Sequence, residues 1–137
     1  MAKTITWQCT ECKTYRTIDF VPGTPLICSS CFKKWGKCPP LEKVFESCPI
    51  CQASQFYLQK DFSQLLGCLI LLAGILLVPK TYGLSLPVFA GIDWLVYRRV
   101  QTMAICYRCG TEFRGFDFPK HVKPFLHHIG AKYDKYR

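Results

Sequence analysis

The longest apolar stretch of the chain runs from Phe62 to Val78, 17 residues without a charge. Its only amide or hydroxyl side chains, Ser63 and Gln64, stand at its start. The segment LLGCLILLAGILLV is apolar in every helical phase, so it predicts a helix with no polar face for solvent. Such a helix is about 25 Å long, a few ångströms short of a typical hydrocarbon core. PKTYG then breaks the run with Pro79, Lys80 and Gly83. A second apolar stretch, interrupted by Pro87 and carrying Asp93, extends from Leu84 to Tyr97. Together they predict a helix over 62–78, a turn and a shorter helix over 84–97, a membrane hairpin. Its distance from the N-terminus and its flanks do not suit a signal peptide. A buried αα-hairpin of a soluble protein is the competing arrangement.

Outside this hairpin the polar and apolar positions alternate over short distances. KTYRTIDFV alternates in part, PGTP turns, and LIC follows. SQFYLQ reads as a strand, and TEFRGFDF alternates Phe113, Phe116 and Phe118 with polar neighbours. These are arms of small β modules with little core of their own.

Cysteine changes the picture. Ten cysteines stand in 137 residues, and eight fall into four Cys-x-x-Cys pairs: Cys9/Cys12, Cys28/Cys31, Cys48/Cys51 and Cys106/Cys109. Two residues between thiolates let one tight turn aim both sulfurs at one ion, and two such turns complete a tetrahedron. Fifteen residues separate the first pair from the second, the spacing of a zinc ribbon. The third pair precedes the hairpin by ten residues, and the fourth follows it by eight. A hairpin returns the chain to the side it left, so a second ribbon can close across 54 intervening residues. A rival pairing joins Cys28/Cys31 to Cys48/Cys51 across 16 residues and leaves Cys9/Cys12 to Cys106/Cys109. The first pairing is preferred because it closes each loop locally. Zinc at two sites is expected, with iron the alternative. Neither ribbon core is large enough to fold without its ion.

Charge then orients the hairpin. The net charge is +9, and of 18 Lys and Arg residues only Lys80 lies in the turn between the apolar stretches. Eight precede the first and nine follow the second. The positive-inside rule puts that side in the cytoplasm, so both termini and all four pairs face a reducing compartment, which favours metal thiolates over disulfides. Trp94 and Tyr97 read as an interfacial belt, with Arg98 and Arg99 in water. Asp93 is the ionisable residue within the apolar stretch and a functional suspect for that reason; the simpler expectation pairs it with Arg98 or Arg99. Cys68 is expected to face lipid or the other helix.

The chain thus divides into an N-terminal ribbon (1–37), a linker (38–47), a split second ribbon (48–61 and 98–118), the hairpin (62–97) and a tail (119–137). Trp7, Phe20, Phe32 and Trp35 are expected to pack around the first ribbon, and Cys38 to be a free surface thiol. In the tail Val122, Phe125, Leu126, Ile129, Tyr133 and Tyr136 fall at helical spacing, with Pro124 in the first turn. This predicts a basic amphipathic helix placing Lys123, Lys132 and Lys135 on anionic headgroups. Packing on the ribbon or on a partner is the equal alternative. His121, His127 and His128 fit no metal-site spacing. The fold class expected is a small membrane protein of two zinc-ribbon-like β modules, an α-helical hairpin and a C-terminal amphipathic helix.

CPIC (Cys48 to Cys51), the apolar run and CYRCG (Cys106 to Gly110) together resemble the LITAF domain, a zinc ribbon split by a membrane-inserted segment. The resemblance covers about residues 47–118. Where that family carries His before its second pair this chain has Ala104, and where it carries Pro within that pair this chain has Tyr107. The resemblance implies zinc on Cys48, Cys51, Cys106 and Cys109, a cytosol-facing membrane anchor and a trafficking or adaptor role.

Three functions fit these features. The first is a zinc-stabilised, membrane-anchored adaptor or accessory subunit with lipid and membrane-protein partners. It needs no catalytic residues, and the sequence offers no paired carboxylate near a His, no phosphate loop, no H-E-x-x-H and no evident small-molecule substrate. The second is a rubredoxin-like iron electron carrier, since two such knuckles also hold iron. The third, nucleic-acid binding, is suggested by the charge, but the membrane orientation already accounts for it.

Overall fold

Two short alternating segments on either side of the first cysteine pair form a hairpin, β1 (Thr4–Gln8) and β2 (Tyr15–Asp19). Their register places Ile5 against Ile18 and Trp7 against Arg16, so Ile5 and Trp7 face the core, while Thr6 between them points to the opposite face and meets the Thr17 hydroxyl at 2.9 Å. The same logic forms a two-stranded hairpin from β3 (Pro25–Ile27) and β4 (Lys34–Lys37) around the second pair. β5 (Phe56–Lys60) follows the third pair. β6 (Thr102–Cys106) and β7 (Glu112–Arg114) flank the fourth. The computed structural model describes residues 2–136.

The described residues form two units: Lys60–Gln101, and the rest of the chain on either side of it. In the larger unit the two expected ribbons are not separate modules. β1 pairs with β7, Thr4 opposite Arg114 and Ile5 opposite Phe113. With a short strand β8 (Lys123–Pro124) at its edge, one six-stranded sheet results, in the order β2-β1-β7-β6-β5-β8. Its core takes Ile5 and Trp7 from the N-terminal part and Phe56, Ala104 and Phe113 from the split part.

The segment expected to be a linker plugs this core. Val44 is fully buried, and Phe45 meets Phe56, Phe113, Phe116 and Phe118 edge to face at 5.4–5.9 Å between centroids. Cys38, expected on the surface, is buried with them, and burial pushes its thiol up. Phe32, expected to pack on the ribbon, is instead 75 % exposed, whereas Trp7 and Phe20 are core residues or packed on them. Alternation past Glu112–Arg114 stops because Gly115 turns the chain at φ +75°, and a side chain there would strike the Ala2 carbonyl at 2.5 Å.

The tail departs from the expected long helix. Lys123–Pro124 form a strand, β8, pairing parallel with β5, so Pro124 starts no helix. Pro lacks an N–H and suits this edge position. Only α3 (His127–Tyr133) and one 3-10 turn (Asp134–Tyr136) are helical. Of the two arrangements expected for the stripe, it packs on the sheet. Val122 joins the main core, and Ile129 and Tyr133 pack on Tyr57, Met103, Ile105 and Tyr107. The Tyr107 hydroxyl accepts the Leu126 N–H at 2.7 Å. Lys123, Lys132 and Lys135 remain exposed.

The second unit is a helical hairpin of α1 (Gln64–Thr81) and α2 (Ser85–Arg99). The break falls later than Pro79, which sits in the last turn of α1; Tyr82 (φ 51°) and Gly83 (φ 88°) end the helix in left-handed backbone. Pro87 does not interrupt α2, because it lies in the first turn, where no helical donor is lost. The helices touch where Gly74 lets Phe89 approach and where the Ser85 hydroxyl donates to the Gly74 carbonyl at 2.9 Å. The hairpin ends are tied by Asp61 N–H to the Gln101 carbonyl at 2.9 Å. α1 alone among the described helices is long and apolar enough to cross a membrane. α2, at 15 residues with Asp93 inside, is not.

Candidate metal centres

Each Cys-x-x-Cys pair folds into the same knuckle, and its backbone explains why the spacing works. The N–H of the residue after the second cysteine donates to the carbonyl of the first: Lys13 to Cys9, Phe32 to Cys28, Gln52 to Cys48 and Gly110 to Cys106, at 2.8–3.0 Å. The N–H of each first cysteine then donates to the carbonyl five residues on, Thr14, Lys33, Ala53 or Thr111, at 2.8–3.0 Å. That double closure requires the residue after the pair to be left-handed, and all four are, with φ between 56° and 70°. Only the fourth knuckle uses glycine there. Gln52, in the place where Gly is the usual choice, adopts the strained backbone all the same. Left-handed backbone costs a residue with a Cβ about 1–2 kcal/mol, partly offset by glycine's greater entropy loss. Gln52→Gly is therefore expected to stabilise the metal-loaded protein by about 0.5–1 kcal/mol in chemical denaturation.

The four knuckles meet in pairs. Cys9, Cys12, Cys28 and Cys31 converge at one place, and Cys48, Cys51, Cys106 and Cys109 at another, with the sulfurs of each group within 4.8 Å of one another. The rival pairing does not form. In the first group Cys9–Cys31 and Cys12–Cys28 are 3.5 and 3.6 Å apart. In the second, Cys48–Cys109 and Cys51–Cys106 are both 3.5 Å apart. An ion with four 2.3 Å bonds to sulfur needs edges of about 3.8 Å, so each group fits one tetrahedral ion. His121, His127 and His128 join no such group among the described residues.

The thiols within each group shift one another strongly. Backbone N–H groups of Cys31 and Ser30 aimed at the Cys28 sulfur pull its thiol from 9.0 to about 6. In the second group the neighbouring Cys106 and Cys109 sulfurs pull the Cys51 thiol down, and the same neighbours push Cys48 up. Four sulfurs this close cannot all ionise against one another. A dication removes that conflict.

Surrounding side chains brace the knuckles. Glu11 within the first knuckle pairs with Lys33 beyond the second at 2.5 Å, and Arg16 donates to Ser30. Arg108 donates to the Cys51 carbonyl at 3.3 Å, linking the halves of the split site. The fully buried Thr111 hydroxyl lies 2.9 Å from Cys109 Sγ, where it can donate to a thiolate. Such outer partners typically tune metal affinity 10–100-fold. Thr111→Val is expected to weaken the second site by about that factor, read by chelator competition, and to leave the first site unchanged.

Comparison of the chain with protein-family models, curated proteins and solved structures finds no match. The chemistry therefore rests on the geometry. Two tetracysteine groups can each hold a metal ion, and four ligands per site leave no open position once an ion is bound.

The residues expected at a membrane surface lie on the hairpin and the tail. On α2, Trp94, Tyr97, Arg98 and Arg99 are exposed. The Arg98 guanidinium stands 5.0 Å from the Trp94 ring centroid, and Lys60 Nζ is 5.9 Å from that of Tyr97. Arg98 is thus engaged with Trp94 rather than Asp93. Cys68 is exposed on α1.

Phe45, Thr111 and Tyr107 support the split site without being metal-ligand types that stand out in the sequence. Thr111, two residues past Cys109, was the readable one, since a hydroxyl there falls beside a knuckle sulfur.

Proposed function

We propose that the chain is a membrane-anchored interaction module, an adaptor or accessory subunit, whose two tetrathiolate sites hold structural zinc on the cytoplasmic side. The observation that carries the reading is the condition of α1. Leu65, Leu66, Leu69, Leu71, Leu72 and Leu76 are all exposed, around the part of the helix that does not face α2. So apolar a surface calls for a cover, and 18 residues give about 27 Å, close to a hydrocarbon thickness. The distribution of Lys and Arg supports the orientation. The closed four-thiolate geometry supports a structural rather than a substrate-binding ion. The likeness of the split ribbon to the LITAF domain points the same way.

The test is metal content and a visible spectrum of protein purified in mild detergent without chelator, together with flotation on phosphatidylcholine–phosphatidylglycerol vesicles. Two colourless zinc ions per chain and co-flotation are expected. Iron with a red thiolate charge-transfer band would replace the adaptor with an electron carrier. Protein that stays at the bottom of the gradient would remove the anchor.

A further inference from the structure

The hairpin unit contains a carboxylate with no counterpart. Asp93 stands on α2 between apolar neighbours, and its Oδ1 is shut off from solvent without a hydrogen-bond partner. The nearby bases are engaged elsewhere: Arg98 on the Trp94 ring, and Lys60 on the Val100 carbonyl at 3.1 Å. Arg98 and Arg99 follow Asp93 by five and six residues, roughly 140° and 240° around the helix, so neither shares its face. Lys80 sits in the last turn of α1, at the opposite end of the hairpin. Among the described residues no ion pair reaches Asp93.

Beside this carboxylate lies a cavity of about 350 Å³, lined by Leu71, Leu86, Phe89, Asp93, Trp94 and Tyr97 among others. Its two ends differ. At one end Asp93 faces Gly67, where a Cβ would stand 3.6 Å from Oδ1. Toward the hairpin turn the lining is hydrocarbon only, and Leu86 lies about 10 Å from Asp93 along the helix. An apolar slot ending in one carboxylate and two aromatic rings complements an ammonium group with an alkyl tail. The carboxylate and ring faces attract the cation, and the tail removes apolar surface from water. The volume, about a dozen waters at roughly 30 Å³ each, suits one chain rather than two.

We propose that the hairpin binds a single-chain lipophilic amine, its ammonium on Asp93 and its tail running toward Leu86. The proposal rests on the membrane reading, which places the Asp93 end toward the headgroups and the tail toward the bilayer interior.

The test titrates dodecylamine into the full-length, metal-loaded protein in maltoside micelles and follows tryptophan fluorescence, with Trp94→Phe subtracting the signals of Trp7 and Trp35. A saturable change is expected, at least tenfold weaker for Asp93→Asn and for dodecanol. Retained metal content and helical circular dichroism show that Asp93→Asn is folded. Equal affinity in Asp93→Asn, equal affinity for dodecanol, or a response that never saturates overturns the site. So does tighter binding, in competition, of a two-chain aminophospholipid or of a lysine-bearing transmembrane peptide. Vesicle flotation reads the anchor separately: protein that floats but fails the Asp93 comparison keeps its membrane role and loses the amine site.

Discussion

Cys106→Ser is expected to leave one metal ion per chain instead of two and to disorder the knuckle at Cys48/Cys51, although 54 residues separate them. The reason is that Cys106 Sγ lies 3.5 Å from Cys51 Sγ and is fully buried. A structural zinc contributes about 10–16 kcal/mol of apparent binding free energy at neutral pH. A domain's net stability is only about 5–15 kcal/mol, so the loss of one ion is enough to unfold the part that depends on it. Hydrogen exchange should show the Gln52 and Gly110 amides losing protection together, since both donate within knuckles of that site. β1 should weaken as well, because it pairs with β7 beyond the fourth knuckle. Cys9→Ser should spare the Gln52 amide. A Cys106→Ser protein that still carried two ions would refute the pairing.

The second large effect concerns the hairpin. Leu72 lies at the middle of α1 and is exposed. An arginine at the centre of a membrane helix costs about 2.5–3.5 kcal/mol on insertion, roughly a hundredfold in partition. Leu72→Arg should therefore move the protein from the floating fraction to the soluble or aggregated fraction while both metal sites stay loaded. Leu72→Ala should float as the parent does. If Leu72→Arg floats unchanged, α1 does not lie in hydrocarbon, and another protein must cover its leucines.

Much of this was legible because it is local. Two residues between cysteines define a knuckle within a single turn, and a continuous apolar run defines a helix without reference to anything outside it. The two knuckles that close the split site could be matched because a hairpin has to return. What escaped was long-range or conformational. Nothing in Val44-Phe45 distinguishes a two-residue plug from a linker, since its partners, Phe56 and Phe113, come from distant strands. The pairing of β1 with β7 merges two apparent modules into one sheet across more than 100 residues. In the tail, helical spacing was real but was overruled by an edge of β5 that accepted Lys123–Pro124 as a strand. Lys13, Phe32 and Gln52 gave no sign of left-handed backbone, because the knuckle's hydrogen bonds impose it on whatever residue follows the pair.

The placement of the hairpin between the two halves of one site also sets an order of events during synthesis. All four sulfurs of the first group have been polymerised once residue 31 is made, whereas the second group waits for residue 109. Closing a loop of 54 loose residues carries an entropic cost that grows with its length. A folded hairpin whose ends are joined at Asp61 and Gln101 removes most of that loop in advance. Capture of an ion at the second site is therefore favoured once the hairpin has formed, so pairing of the helices is expected to raise the share of nascent chains that hold two ions rather than one.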